Sequence, residues 1–221
     1  MKEFLPILQQ CALFDGVRKE DLPVMLSCMG GRVIRCKRGQ NILSEGDPAN
    51  RVGILLEGRA HIIKEDYNGD RSVVACVMPS ELFGESFACA GIESLPVDVV
   101  AETDCAYMLI DSRRMTTSCS NACAFHSKTI YNLLRIVSLR NLQYHQKMEI
   151  TGKRTTRQKL MAYLLARAKE VGSNSFTIPY DRQALADYLQ VERSAMSAEI
   201  SKLRSDGILE SNRNHFTLLD T

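Results

Sequence analysis

Residues 182 to 207 read "RQALADYLQVERSAMSAEISKLRSDG", two short runs of helical period separated by Gln190 and Val191. Leu185, Tyr188, Leu189 and Val191 from the first run, and Met196, Ile200 and Leu203 from the second, are spaced to share one core. The second run therefore turns Arg193, Ser194, Ser197, Ala198, Ser201 and Lys202 outward, with a single acid, Glu192, beside them. Two short helices around a tight turn form the helix-turn-helix arrangement, in which the first helix crosses a DNA backbone and the second enters the major groove. A small, hydroxylated face that is basic at its leading end suits base edges and phosphates. Arg182 and Gln183, at the head of the first run, belong to the same candidate DNA-facing set.

The neighbouring segments fit this reading. Downstream, "GILESNRNHFTLLD" predicts two short strands, Ile208 to Ser211 and His215 to Leu218, around the turn "NRN". They form a wing whose tip carries Arg213, a phosphate-contact candidate. Upstream, "TTRQKLMAYLLARAKEVG" has a Thr cap, an apolar face through Leu160, Tyr163, Leu164 and Ala168, and Gly172 as its stop. From Lys147 to Lys169 there are seven bases against one acid, Glu149, a positive surplus of the kind that attracts nucleic acid. Two helices and a hairpin also occur in units that never meet DNA, so a small-molecule-binding protein without DNA binding is a rival reading.

The middle of the chain has a different character. Between residues 30 and 111, short β-type runs recur at spacings that predict a sandwich or barrel of the jelly-roll kind: "GRVIRC", "QNILSE", "VGILLEG", "AHIIKED", "RSVVACVM", "VDVVAE" and "CAYMLID". Turn residues separate them, including "EGDP", Gly58 and the Asn-Gly of "YNGD". After Asp111 the period lengthens. Ile130, Leu134, Val137, Asn141, Tyr144 and Met148 fall at steps of four and three, a heptad seam on a helix from about Asn121 to Ile150. Such a seam predicts homodimerisation, with Asn141 as the polar residue that fixes register. A second stripe through Leu133, Ile136 and Leu142 is available to pack on the barrel. The expected organisation is α+β: a barrel domain over 1–120, a dimerisation helix over 121–150 and a winged helix-turn-helix over 151–221.

Bulk properties constrain the class. The 221 residues, 45% hydrophobic and 24% charged, make an ordinary globular composition. No run approaches the ~18 apolar residues of a membrane span, and the N-terminus lacks a signal-peptide pattern, so the expected location is the cytoplasm. The eight cysteines include no CxxC pair and read as structural thiols. The four histidines, His61, His126, His145 and His215, lie in different predicted elements, and no phosphate loop or nucleophile elbow is present; catalysis is not expected.

With these residues in place, the order of parts resembles the CRP/FNR family of bacterial transcription regulators across essentially the whole chain. The resemblance rests on "GQNILSEGDPANRVGILLEGRAHIIKED" in a cyclic-nucleotide-binding-type barrel, on "FGE" opening an effector segment, on the long helix, and on the helix-turn-helix. It implies a homodimer whose barrels sense an effector and whose C-terminal domains bind double-stranded DNA at a palindromic operator, meeting RNA polymerase where the regulator activates. In family members that bind cyclic AMP, an Arg-Ser pair about ten residues after the Gly-Glu turn grips the cyclic phosphate. Here Gly84 and Glu85 match, but the Arg and Ser positions hold Leu95 and Pro96. The effector-site set is thus Gly84, Glu85, Ser86, Leu95, Pro96 and Val97, and the expectation is either a neutral or apolar effector rather than cyclic AMP, or an empty pocket that serves as packing against the dimer helix. No base lies between Arg71 and Arg113, so a pocket there would repel anions.

On the DNA side Arg193 matches the family's guanine reader, while Ser194 and Ala198 replace its Glu and its later basic residue. No cofactor is expected with certainty. Cys11, Cys28 and Cys36 are too dispersed for an iron-sulfur cluster. Cys119, Cys123 and His126, at i, i+4 and i+7, leave a metal- or redox-responsive regulator as an alternative.

Overall fold

All seven β-type runs form strands in the computed structural model, which describes residues 2–69, 71–116 and 124–219. The elements in chain order are α1 (Leu5–Gln10), α2 (Leu22–Cys28), β1 (Arg32–Cys36), β2 (Asn41–Leu43), β3 (Arg51–Glu57), β4 (Ala60–Glu65), β5 (Arg71–Val77), β6 (Leu82–Phe83) and α3 (Glu85–Ala90). Then follow β7 (Asp98–Ala101), β8 (Cys105–Asp111), α4 (Ser112–Thr116), α5 (Ala124–Thr151), α6 (Thr156–Val171) and β9 (Ser175–Thr177). The chain ends with α7 (Arg182–Leu189), α8 (Arg193–Ser205), β10 (Leu209–Asn212) and β11 (His215–Leu218).

Two four-stranded sheets, ordered β1-β8-β3-β6 and β2-β7-β4-β5, make the predicted two-layer β fold. The two-residue β6 is too short to give a sequence pattern. In β3 the residues from Val52 to Leu56 are all buried, so the strand reads as a continuous apolar run rather than an alternation. The reason lies in α1, α2 and the turn between them: Leu8, Leu13, Phe14, Leu22 and Leu26 pack in one core with Val52, Ile54, Leu56, Met108 and Ile110. Gly53 pairs with Phe83 across β3 and β6, and a Cβ at residue 53 would stand 2.0 Å from the Phe83 ring. Phe83 then meets Tyr107 edge to face at 6.2 Å.

The chain divides into two compact units. Residues 1–64 and 75–141 make the first, residues 65–74 and 142–221 the second. Within the first, α5 turns one face inward: Thr129, Asn132 and Leu133 are buried, and Ile136 and Val137 pack partly on the core. Asn132 Nδ2 donates to the carbonyls of Leu13 and Asp15, each at 3.0 Å. The inward stripe does not include Leu142 as expected; that residue is 64% exposed, and the 3.6-residue period places it off the face defined by Leu133 and Ile136. Among the described residues no helix is long and apolar enough to cross a membrane.

In the second unit α6 starts with a capping box. Gln158 N donates to Thr155 Oγ1 at 3.2 Å and Gln158 Oε1 accepts from Thr155 N at 3.4 Å, while Gly172 (φ 70°) ends the helix. The predicted wing gains a third strand, since β9 joins β10 and β11 in the order β10-β11-β9. Tyr163, Tyr180 and Tyr188 cluster with ring centroids 4.9 to 6.2 Å apart. Lys147 Nζ stands 4.5 Å from the Tyr188 ring centre and donates to the carbonyls of Val73 and, at 3.1 Å, Val74. Burial pulls the Lys147 amine down to about 8, against carbonyls and a ring face that favour the ammonium form.

That shift sets a pH dependence. Below about 8 both native and unfolded chains hold the Lys147 proton; between about 8 and the unfolded value of 10.5 only the unfolded chain does. Stability therefore rises with pH in that window, with a slope of at most ~1.4 kcal/mol per pH unit. Urea unfolding followed by tyrosine fluorescence from pH 7 to 10 should show this rise in the wild type relative to Lys147→Met; parallel profiles would refute it.

Candidate effector site and nucleic-acid interface

The Gly84-Glu85 turn is built by a backbone that only glycine adopts easily. Gly84 sits at φ 75° in the left-handed region, and a Cβ there would meet the Arg51 carbonyl oxygen at 3.1 Å. The turn brings Glu85 to the start of α3, where the residue is 3% exposed. Its Oε1 lies 3.4 Å from Nε of Arg140 and 3.5 Å from Ser86 Oγ. Arg140 comes from α5, is 12% exposed, and also donates from Nη2 to the Leu82 carbonyl at 3.1 Å.

Arg140 corrects the charge expected here. The stretch between Arg71 and Arg113 has no base of its own, but the fold imports one from 55 residues away. The site is an ion pair, not an uncompensated acid. The sequence does hold a signal: Arg140 follows Leu133 and Ile136 at steps of three and four, so a base continues the inward stripe.

The Leu95 segment is part of the barrel. Leu95 N donates to the Asp47 carbonyl at 2.8 Å and Gly46 N donates to the Leu95 carbonyl at 2.9 Å. The side chains of Leu95 and Val97 are buried, while Pro96 is exposed. Leu95 is therefore a core residue that supplies no donor where a phosphate grip would need one. Cys119 and Cys123 lie outside the described residues, as does the side chain of His126. Among the described residues no group of three His, Cys, Asp or Glu side chains is arranged to hold a metal.

In the second unit the helix pair forms as expected. Asp181 caps α7 by accepting from Ala184 N at 2.8 Å. Gln190 ends α7 in the left-handed region at φ 54°, and Val191 N returns to the Ala186 carbonyl at 3.1 Å. That sharp turn aims α8 away from α7. Met196, Ile200 and Leu203 are buried, and Arg193, Ser194, Ser197, Ala198, Ser201 and Lys202 are exposed together on the other side of α8. Gln183 is exposed and donates from Nε2 to Asp187 at 2.8 Å. Arg213, exposed at φ 53°, sits in the turn between β10 and β11.

Arg182 is turned differently from the expected DNA-facing position. Its guanidinium lies 4.9 Å from the centre of the Phe216 ring and its Nη2 donates to Ser211 Oγ at 3.3 Å, so it braces the wing. Burial, with Arg204 nearby, holds its pKa below the usual arginine value. The sequence gives no warning of this, because the ring that attracts Arg182 is 34 positions further along.

Comparison with known proteins agrees with this geometry. Residues 33–121 match the cyclic nucleotide-binding domain and residues 158–221 the Crp-like helix-turn-helix domain. The transcriptional activator protein FnrL of Cereibacter sphaeroides is 24% identical over 203 residues, 82% of this chain and 74% of that protein. Among solved structures, FixK2 from Bradyrhizobium japonicum superposes with a TM-score of 0.68 at 19% identity, covering 86% of this chain and 93% of that one. The c-di-GMP responsive global regulator CLP of Xanthomonas campestris gives 0.71 at 20% identity, covering 90% and 98%. With both domains matched in the same order, the chain belongs to the CRP/FNR family of DNA-binding transcription regulators.

The buried Glu85–Arg140 pair predicts an asymmetry between single and double substitutions. Arg140→Met leaves a carboxylate buried without its counter-charge and should cost about 3–5 kcal/mol in urea unfolding; adding Glu85→Gln should recover most of it. Equal stabilities of Arg140→Met and the wild type would show that the pair contributes nothing.

Proposed function

We propose that the protein works as a homodimer that reads a two-fold symmetric DNA operator through α8, with Arg193 as the principal base reader. The observation that carries this is the outward face of α8: small, hydroxylated and basic at its leading end, and exposed among the described residues. Ser194, Ser197, Ala198 and Lys202 flank Arg193, Gln183 stands at the head of α7, and Arg213 reaches out from the wing to a phosphate. The dimer reading draws on α5. Ile130, Tyr131, Leu134, Leu142 and Met148 are exposed apolar side chains along it, and Asn141 is exposed among them. Val137 and Tyr144, the other two seam residues, are half-buried within a single chain and contribute at the edge of the interface.

The role is binding rather than catalysis, carried out in the cytoplasm, where a bacterial regulator meets its DNA and, as an activator, RNA polymerase. The effector site is proposed to take something other than cyclic AMP. Leu95 and Pro96 supply no phosphate donors, and Glu85 is already neutralised by Arg140. A ligand that engages Glu85 has to compete with that pair, and it shifts the protein only by binding one arrangement better than the other.

Selection of genomic fragments with the purified protein should enrich a symmetric motif with half-sites one helical turn apart, ~34 Å. Arg193→Ala should relax preference at one position of each half-site, losing discrimination worth ~1–3 kcal/mol there. Failure to enrich any symmetric motif across a range of salt would sink the reading. Calorimetry with cyclic AMP should show no tight binding; a sub-micromolar Kd would refute the assignment of Leu95 and Pro96.

A further inference from the structure

Cys36 ends β1 and Cys105 opens β8, and the antiparallel register sets the two directly opposite one another. Directly opposite residues project to the same face of a sheet, with Cα atoms ~4.5–5.5 Å apart. A disulfide spans Cα separations of ~4.4–6.8 Å, so these strands are already at bonding distance. Both thiols are free. They differ in access: Cys105 is 4% exposed, whereas Cys36 is half-buried at the end of its strand. Cys105 Sγ lies 3.3 Å from the carbonyl oxygens of Arg59 and Thr103, and it fills the space above Gly58, where a Cβ would come within 2.8 Å of it. Burial pushes the Cys36 thiol up, and Cys105, within electrostatic and hydrogen-bonding reach, adds to the shift.

We propose that Cys36 and Cys105 form a reversible dithiol–disulfide site in the first unit, oxidised by low-molecular-weight disulfides. The exposed thiol reacts first. The Cys36 thiolate attacks one sulfur of the small disulfide, forming a mixed disulfide and releasing one thiolate, which takes up a proton. Cys105 then loses its proton to solvent, attacks Cys36 Sγ and expels the second thiolate. Two protein thiols are oxidised by two electrons, and one small disulfide is reduced to two small thiols. The raised Cys36 pKa makes the first step slow near neutral pH and faster as pH rises, since the thiolate is the nucleophile. The second step is intramolecular between groups held in register, so the mixed disulfide does not accumulate. The oxidised form ties β1 covalently to β8.

The native full-length protein, incubated with oxidised glutathione and mapped by mass spectrometry of its proteolytic fragments, tests this. The expected product is a Cys36–Cys105 cross-link, two hydrogens lighter than the dithiol and reversed by dithiothreitol. Cys105→Ala should instead trap a stable glutathione adduct on Cys36, and Cys36→Ser should leave Cys105 unmodified. In the wild type, an accumulating Cys36 adduct without cross-link, a cross-link to any other cysteine, or unreacted Cys36 and Cys105 would overturn the proposal. Glutathione on Cys105 in the Cys36→Ser protein would overturn the assigned order of attack.

Discussion

Asn132 decides how the long helix lies against its own barrel. A buried carboxamide must satisfy both of its N–H donors, and Asn132 does so on the carbonyls of Leu13 and Asp15. Sliding α5 by a turn would orphan those donors, at a cost of about 1–3 kcal/mol. The helix is thereby fixed in rotation and in height. Leu133 and Ile136 face the core, Arg140 arrives beside Glu85, and Tyr131, Leu134 and Leu142 are left outside. One polar side chain thus links the N-terminal segment, the Glu85–Arg140 pair and the exposed apolar face of α5.

The Gly84-Glu85 turn and the outward face of α8 follow opposite rules. Around Glu85 the protein has closed its polar groups on one another, with a carboxylate, a guanidinium and a backbone carbonyl all engaged internally. Along α8 the polar groups stay open: Arg193, Ser194, Ser197, Ser201 and Lys202 are all exposed, the state that the proposed contacts to base edges and phosphates require. The wing shows both behaviours within one small sheet. Arg182 is drawn inward over Phe216 while Arg213 points out at the tip.

What the sequence made legible was local. Seven strands announced themselves through short β-type runs between turn residues, and the helix pair through apolar spacing that turned Arg193 and its neighbours outward. The misses are mostly matters of long-range pairing. Arg140 drew no notice in the sequence, because its partner lies 55 residues away. Leu142 was grouped with Leu133 and Ile136 by its apolar character, although the 3.6-residue period carries it off their face. That Cys36 and Cys105 stand opposite one another was not legible, since strand register is settled by packing across the sheet and a one-residue slip would send the two side chains to opposite faces. The segment 175–177 carries no sign of a partner in the sequence, because the edge it completes belongs to β11.

Gly53 and Phe83 carry a consequence for how this fold can drift in evolution. The Phe83 ring fills the volume in which any side chain at 53 would begin, so neither position is free to change alone. Any replacement at 53 demands a smaller residue at 83, and a smaller residue at 83 opens a hole beneath Tyr107 unless 53 grows to fill it. The two sites behave as one heritable character, and because 83 immediately precedes the Gly84-Glu85 turn, the history of the barrel core and that of the turn are joined through a single ring.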